Sequence, residues 1–424
     1  MPDSARNRRS PAILAERRFL IFAGGQGVSA VGDGIYLVAL AWTALALTHS
    51  AVYLGLLLAT TALPRAVLML AGGVVVDRWG ARMVVLGSDL SRALLISALA
   101  VLVLVGHASI ALLFVIAGIF GVFDALFYPA TMSIIPALVD REHLSAANGT
   151  WQVAVQGSLI VGPPLGGVLV GLNGAGAAFA ADGASFLVAF VALLAIGLGG
   201  RPSFAGEPGA VQAETRTRIW TQLTAGVRAA VADPFLRALL PVAALVNMAA
   251  GGPLNVGLPL LARVHHWGPD GYGALFGGIG AGLLLGGLVM GTGLRLPRIS
   301  VSVVLMVVTM GVLMAVLGFE ASLALDVLLC VGIGTLISVT NVAIISLIQS
   351  TTSPQLLGRV SSVVMFSSMS LTPVSYALSG AVARLLSPGG LFLAGAAMVV
   401  AVALIALSSK AIRQGGGAAV APSS

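Results

Sequence analysis

The chain has 424 residues, of which 58% are hydrophobic and only 9% are charged, and its mean hydropathy is +1.04. Soluble domains carry about 25% charged residues, so this composition excludes an ordinary soluble protein. The formal net charge is +7, but the basic residues lie mainly between apolar segments. This placement indicates membrane topology and excludes nucleic-acid binding as their purpose.

The apolar segments predict a polytopic helical membrane protein, because about 20 apolar residues cross a bilayer as a helix. We count twelve such segments, numbered spans 1 to 12. They lie near 18–47, 51–76, 83–106, 108–138, 145–171, 174–199, 235–262, 270–293, 299–319, 321–350, 357–384 and 387–409. Most arginines and lysines fall on the side of the two tails. By the positive-inside rule we expect a multi-pass protein of the plasma membrane, embedded in the lipid bilayer, with both termini cytoplasmic.

The loop after span 2, "GGVVVDRWGAR", contains Gly73, Asp77, Arg78, Gly80 and Arg82. Gly73 would allow a neighbouring helix to pack closely, and Gly80 would let the chain reverse. The spacing resembles the loop 2–3 signature of the major facilitator superfamily. The resemblance implies that the loop holds two halves together in one state of an alternating-access cycle, with Asp77 at the positive end of a helix of the other half. Asp89 and Arg92 of span 3 are expected to extend this charge network. The alternative is a solvated turn that only sets topology.

Span 5 contains a glycine- and proline-rich run, "GPPLGG". The relevant residues are Gly149, Ser158, Gly162, Pro163, Pro164, Gly166 and Gly167. Such residues bend a helix and thin it against its neighbours. The pattern resembles the antiporter motif of drug-exporting members of the same superfamily, with Ser158 in place of a glycine. It implies export, whereas ordinary glycine-rich packing is the alternative.

A polar segment divides the chain into halves that echo each other in position at a separation of about 214 residues, as in transporters with parallel repeats. The expected organisation is a cytosolic tail at 1–17, a six-helix bundle at 18–199, a cytosolic linker with an amphipathic helix at 200–234, a second six-helix bundle at 235–409 and a cytosolic tail at 410–424.

Local patterns such as "YPATMSIIPALVDREHLSAAN" at 128–148 and "SPQLLGRVSS" at 353–362 resemble the twelve-span efflux branch that contains macrolide and enterobactin exporters. The resemblance covers about residues 16–410. It implies an all-α fold of two six-helix bundles related by pseudo-two-fold symmetry. Span 4 has no arginine, so the basic proton-relay motif of other twelve-span drug antiporters is missing.

Ionisable residues at membrane depth are costly, so they indicate function. Asp33, Arg65 and Asp124 lie in spans 1, 2 and 4. Because spans 1, 4, 7 and 10 line the cavity of the fold that the chain resembles, Asp33 and Asp124 are predicted to bind protons or a cationic group of the substrate. The alternatives for Asp33 are a static ion pair with Arg65 and a hydrogen bond that stabilises a glycine-flanked bend. The alternative for Asp124 is a structural hydrogen bond. Asp182, near the outer start of span 6, is expected to cap that helix.

Further candidates for the substrate cavity are Gln152, Gln156, Asn247, Asn255, Asn341, Met365 and Phe366, although the amides are equally suited to bridging helices. No metal or cofactor site is expected. Cys330 is the only cysteine, and His265 and His266 lack further ligands. The glycines of 277–287 follow the GxxxG spacing of packed membrane helices and not that of a nucleotide loop. Catalysis and ATP-driven transport are therefore not expected.

These observations predict a monomeric secondary active exporter that moves a lipophilic small molecule out of the cell by alternating access, in exchange for protons. A siderophore or secondary-metabolite exporter of narrow specificity is an alternative. A membrane sensor or partner-binding protein that does not transport is an alternative from another class.

Overall fold

The computed structural model describes residues 16–196, 232, 234–294, 296, 299–319, 321–351, 360, 363–364 and 366–409. The regular structure in these ranges is helical throughout. The helices are α1 (Arg17–Thr48), α2 (Ala51–Trp79), α3 (Ala81–Leu104), α4 (Ile110–Leu138), α5 (Leu144–Ala195), α6 (Pro234–Gly252), α7 (Leu258–Val264), α8 (Gly268–Gly291), α9 (Ile299–Leu317), α10 (Leu323–Thr351) and α11 (Thr372–Ser408). A 3₁₀ turn, Arg141–His143, precedes α5, and a π-helix, Pro253–Gly257, joins α6 to α7. The expected tails and linker lie almost entirely outside the described residues.

Two of the helices are each two membrane-crossing segments. Ten helices in the described ranges are long and apolar enough to cross a membrane. Within α5 the backbone is non-helical at Gly174 (φ 79°, ψ 167°), and within α11 at Ser387 (φ 74°, ψ 166°). Each break joins two segments, so the described residues contain twelve crossing segments, which agrees with the twelve apolar runs.

The two halves turn at equivalent places. In each half, a residue with positive φ follows the first span, another follows the second span, and a third lies at the junction of the last two spans. The three pairs are His49 and His266 (54° and 58°), Gly80 and Gly293 (79° and 80°), and Gly174 and Ser387 (79° and 74°). Positive φ is uncommon outside glycine, so this agreement confirms the internal repeat at the level of the backbone.

Glu16 and Ser409, where the described chain begins and ends, lie at one end of the bundle. The halves meet at the opposite end, which is called the closed end below. There Gly167 of α5 packs against the backbone of Pro269 and Asp270 of α8. In the second seam, Gly55 of α2 packs against Gly380 of α11. In addition, the Arg263 guanidinium, at the end of α7, donates a hydrogen bond to the carbonyl oxygen of Leu45 at the end of α1.

Toward the other end the first of these seams opens. A Cβ placed on Gly149 or Gly157 of α5 would meet nothing within 4 Å among the described residues. The structure therefore has two six-helix halves that are joined at one end of the bundle and separate toward the end that carries the described termini.

Candidate functional site: adjoining cavities between the halves

A cavity of about 560 Å³, the central cavity, lies between the two halves. Its walls come from α1, α2 and α4 of the first half and from α6, the segment 366–372 and α11 of the second. Its charged lining residues are Arg65 and Asp124, and its polar ones are Thr61, Asn247, Asn255, Ser368, Ser370, Thr372 and Tyr376. Its position between two separately packed halves is that of a substrate site in transporters built from repeats.

A second cavity, of about 760 Å³, lies almost wholly within the second half and is called the second-half cavity. The two cavities adjoin, because Asn247, Gly251, Asn255, Ser368 and Met369 line both. The described lining of the second-half cavity is mostly aliphatic and includes no charged residue. A compound that extends from one cavity into the other would therefore place a polar part beside Arg65 and Asp124 and an apolar part in the second half.

Arg65 and Asp124 form an ion pair in the central cavity, with 3.2 Å between Nη1 and Oδ2. Local packing explains the pairing. Gly121 of α4 lies against the carbonyl oxygen of Thr61 and the ring of Pro64, so α2 and α4 approach closely just where Arg65 begins its side chain. The side chains of Arg65 and Asp124 are 42% and 22% exposed. Such a pair is accessible to a ligand and contributes little to stability.

Asp33 does not line either of these cavities. It is half-buried in α1 and makes no hydrogen bond or ion pair with a described residue, and its neighbour one turn on, Leu37, lines the central cavity. Arg65 pairs with Asp124 and not with Asp33, so the alternative of a static Asp33–Arg65 pair is wrong. Asp33 still interacts electrostatically with Arg65 and Asp124.

Asp89 and Arg92 pair with each other deep in the first half, with 2.9 Å between Oδ1 and Nη2, and their side chains are 0% and 1% exposed. Gln26 donates a 2.8 Å hydrogen bond to Oδ2 of Asp89. The Arg92 guanidinium lies 4.3 Å from the ring centroid of Phe127 and 4.4 Å from that of Phe186. The expectation that this pair extends the loop network is wrong. Asp89 lies nine residues beyond Gly80, which is about 13 Å along a helix.

The predicted loop begins inside α2: Asp77 and Arg78 lie in the last turn of that helix and Gly80 follows it. All three are exposed, and no described residue pairs with them. A Cβ on Gly73 would meet no described residue within 4 Å, so the close packing expected there is wrong. Gly72 has this role instead and lies against Ala125 and Pro129 of α4. The action of the loop on the other half remains a prediction.

Arg82 has a role that the sequence did not reveal. It donates hydrogen bonds of 3.4 to 3.5 Å to the carbonyl oxygens of Leu193, Leu194 and Ile196 at the end of α5. Terminal carbonyls lack helical partners, and a cation at a helix C-terminus is favourable. Arg82 therefore fixes the beginning of α3 to the end of α5.

The motif of span 5 lies where α1, α5 and α8 meet. Gly162 packs against Val31 and Gly34 of α1, and Gly166 against Ile35 of α1. Gly167 instead faces α8, as described above. The ring of Pro163 lies against Gly34 of α1, whereas its carbonyl group lies against Gly273 of α8. The Pro164 ring lies against Gly277 of α8. The motif thus forms a contact between the halves. Gly149 takes no part in it.

The amide candidates divide into two groups. Asn247 and Asn255 line both cavities and Asn341 lines the second-half cavity, whereas Gln152 and Gln156 line neither. Phe366 lines the central cavity, and Met365 lies outside the described residues. Ser368 and Tyr376, both in span 11, also line the central cavity and were not among the predicted residues. Asp182 is not a cap: it lies beyond the break in α5, completely buried, beside Gly32 of α1.

Away from the cavities, Glu16, Asp140 and His143 place three ligand atoms within 4.8 Å of one another, the one such group among the described residues. His143 and Glu16 are partly exposed and Asp140 is exposed. These side chains could hold a divalent ion at the surface, but they are remote from the site between the halves.

Comparison with known proteins agrees with this geometry. The model of the Major Facilitator Superfamily matches residues 22–376. Multidrug efflux pump Tap of Mycolicibacterium fortuitum is 28% identical over 96% of this chain and 97% of its own length. Enterobactin exporter EntS of Citrobacter koseri is 24% identical over 85% of this chain and 84% of its own.

Solved structures with the same fold include the nucleoside transporter NupG, with a TM-score of 0.74, 13% identity, and coverage of 92% of this chain and 98% of NupG. A bacterial homologue of the lysosomal transporter Spinster, in an inward-facing and unoccupied conformation, has a TM-score of 0.70, 15% identity, and coverage of 97% and 98%. The chain therefore belongs to the Major Facilitator Superfamily and is a multi-pass membrane transporter, not an enzyme.

Proposed function

We propose that the protein exports a lipophilic small molecule across the plasma membrane in exchange for protons, by alternating access. The observation that carries the proposal is the central cavity, which holds the accessible Arg65–Asp124 pair between two halves that are joined at one end only. Two relatives that match most of the chain are named as a multidrug efflux pump and an enterobactin exporter, which supports the direction of transport.

The distribution of basic residues supports a cytoplasmic location for the tails, and so for the open end. In this orientation the structure would correspond to an inward-facing state, and the substrate would enter from the cytoplasm or the inner leaflet. The aliphatic second-half cavity accepts its apolar body. The opposite state requires the seams at the closed end to part, and in that state Asp77 would meet the second half at the cytoplasmic end.

Coupling follows from competition at Asp124. A cationic group of the substrate is attracted to Asp124 while its carboxylate is ionised, and a proton bound to that carboxylate removes the attraction. Exchange of one for the other is what antiport requires. Asp33, which interacts electrostatically with Asp124, changes the field in the cavity when it gains or loses a proton.

The test is dye accumulation in an efflux-deficient bacterium, with and without a protonophore, at matched expression. We expect wild-type efflux to be abolished by the protonophore and by Asp124→Asn, Asp33→Asn or Asp77→Asn. The matched control is Glu142→Gln, because Glu142 is an exposed carboxylate of the surface turn before α5. Efflux that survives the protonophore would contradict proton coupling, and efflux that survives Asp124→Asn would remove Asp124 from the mechanism.

A further inference from the structure

The first half contains a second group of ionisable side chains, separate from the central cavity, between α1 and the second segment of α5. Asp182 is 0% exposed, and its Oδ2 has no hydrogen-bond partner among the described residues. Its other oxygen, Oδ1, lies 3.5 Å from Ser185 Oγ. The Tyr36 hydroxyl is also buried without a described partner, and Asp33 has none either.

These three groups lie together. Gly32 of α1 lies directly against Asp182 and Ser185. Tyr36 is one helical turn beyond Gly32 on the same face, and its ring packs 6.0 Å from that of Phe179, which is one turn before Asp182. Tyr36 interacts electrostatically with both Asp182 and Asp33, and Asp182 interacts with Asp33.

The charges in this interior do not balance. Three carboxyl groups, those of Asp33, Asp89 and Asp182, interact with Arg92. Arg92 is already paired with Asp89, and Arg65, the other cation that Asp33 meets, is paired with Asp124. Buried charges without a partner are strongly unfavourable. A proton is the smallest ligand that would neutralise one of the two remaining carboxylates and supply a hydrogen-bond donor.

We infer that Asp33 and Asp182 form a proton-binding pair between α1 and α5, with the Tyr36 hydroxyl as their common neighbour. This inference rests on the proposed proton coupling and adds a site to it. Asp33 is half-buried and exchanges protons with water, whereas Asp182 is enclosed and stores them. When a proton moves, it leaves a carboxyl oxygen of Asp33 and binds a carboxylate oxygen of Asp182, so the pair keeps a total charge of −1.

The location explains how protonation would reach the moving parts. The pair acts on α1, and α1 packs through Gly34 and Ile35 against Gly162 and Gly166 of α5. These residues adjoin the seam with α8. A proton gained or lost by the pair therefore changes the attraction between α1 and α5 next to the contact that must part during transport.

The first measurement is the infrared spectrum of purified full-length protein in nanodiscs at neutral pH. The carbonyl stretch of a protonated carboxylic acid, which shifts in D₂O, should be present in the wild type and should lose one component in Asp182→Asn. In Asp33→Asn the proton is left on Asp182, so this component should shift and not disappear. Ser185→Ala keeps the carboxyl group while removing its hydroxyl neighbour, and Asp326→Asn removes the buried carboxyl group of the second half. Both controls should retain the component that depends on Asp182.

The second measurement is transport in proteoliposomes, with ethidium as the probe. We expect the rate of ethidium efflux driven by a pH gradient to be at least tenfold lower in Asp182→Asn than in the wild type, while ethidium exchange without a pH gradient is retained. Tyr36→Phe should slow only the efflux driven by the gradient. Helical circular dichroism and monodisperse elution would show that each variant is folded.

A wild-type spectrum without the protonated-acid band, or a band unchanged in Asp182→Asn, would overturn the inference. Driven efflux that survives Asp182→Asn would overturn it as well. A different pair of results would contradict the proposed function and leave the inference standing. In that case the wild type would not transport ethidium, but the infrared component that depends on Asp182 would still be present.

Discussion

Adding one methyl group at the seam between the halves should shift the conformational equilibrium of this transporter. In Gly167→Ala, the new Cβ would lie 2.6 Å from the Pro269 carbonyl oxygen and 2.7 Å from Asp270 Cα. Carbon atoms pack at about 3.5 to 4.0 Å, so α5 and α8 must separate by about 1 Å. Both contacts are backbone atoms, which cannot rotate away as a side chain would.

Overpacking of this kind costs about 1 to 3 kcal/mol. The cost falls only on the state in which the closed end is sealed. The ratio of molecules with this end parted to molecules with it sealed should therefore rise about 5- to 150-fold. Gly166→Ala is the informative comparison. Its Cβ would lie 2.8 Å from Ile35 Cα in the same half, so it should lower stability without changing the ratio. The Cβ of Gly157→Ala would meet no atom within 4 Å in the part of the chain that the structure describes, so this variant should change neither stability nor the ratio.

Spin labels report the ratio directly. Leu172→Cys and Leu385→Cys place labels on α5 and α11 at the closed end, at side chains that are 79% and 80% exposed. The native Cys330 is completely buried, so it does not compete for the label. Pulsed electron paramagnetic resonance should show a longer distance gaining population in Gly167→Ala. If the folded variant had the wild-type distance distribution, the seam would not control the equilibrium and the reasoning would fail.

Three further outcomes are expected. Arg92→Met should lower stability by about 3 to 5 kcal/mol, because it leaves Asp89 buried without its cation, and the double variant with Asp89→Asn should recover part of the loss; thermal unfolding in detergent measures both, and an unchanged melting temperature would contradict the pairing. Ser387→Gly should raise stability by about 1 kcal/mol, because φ 74° with ψ 166° is a conformation of glycine, and Gly174→Ser should lower it by a similar amount. A lower melting temperature for Ser387→Gly, or a higher one for Gly174→Ser, in differential scanning fluorimetry would refute the strain. Arg263→Met removes the hydrogen bond that a charged guanidinium makes between the halves, which is worth about 1.5 to 3 kcal/mol. The fraction of molecules in which the closed end has parted should therefore rise about 10- to 150-fold in the spin-label experiment, and no change would show that this bond does not hold the seam.

The fold was predictable from the sequence because membrane crossing depends on properties that lie along the chain. The apolar runs gave the twelve segments, and glycine at 174 and the Ser387–Pro388 pair marked the breaks in the two long helices. The repeat was visible as loops in equivalent positions. The strongest evidence for the repeat is the set of paired positive φ angles. These angles could not be predicted at His49 and Ser387, because neither residue type favours positive φ.

The candidate site was predictable only in part, because partners across helices depend on lateral packing. The sequence placed Arg65 at a depth compatible with either Asp33 or Asp124. The choice of Asp124 depends on how closely Gly121 lets α4 approach α2, and no spacing along the chain reports that distance. The same limit applies to Arg92, whose aromatic neighbours come from α4 and α5, and to Asp182, whose burial depends on its contact with Gly32.

The closed end is held by shape and not by charge. Its described contacts are backbone atoms against glycines, together with one arginine that is bonded to a neutral carbonyl oxygen. Mobile ions screen interactions between charges but leave close packing of uncharged backbone unaffected. The closed end should therefore stay sealed equally well in dilute and in concentrated salt, so a change in the salt that surrounds this end would not by itself part the two halves there.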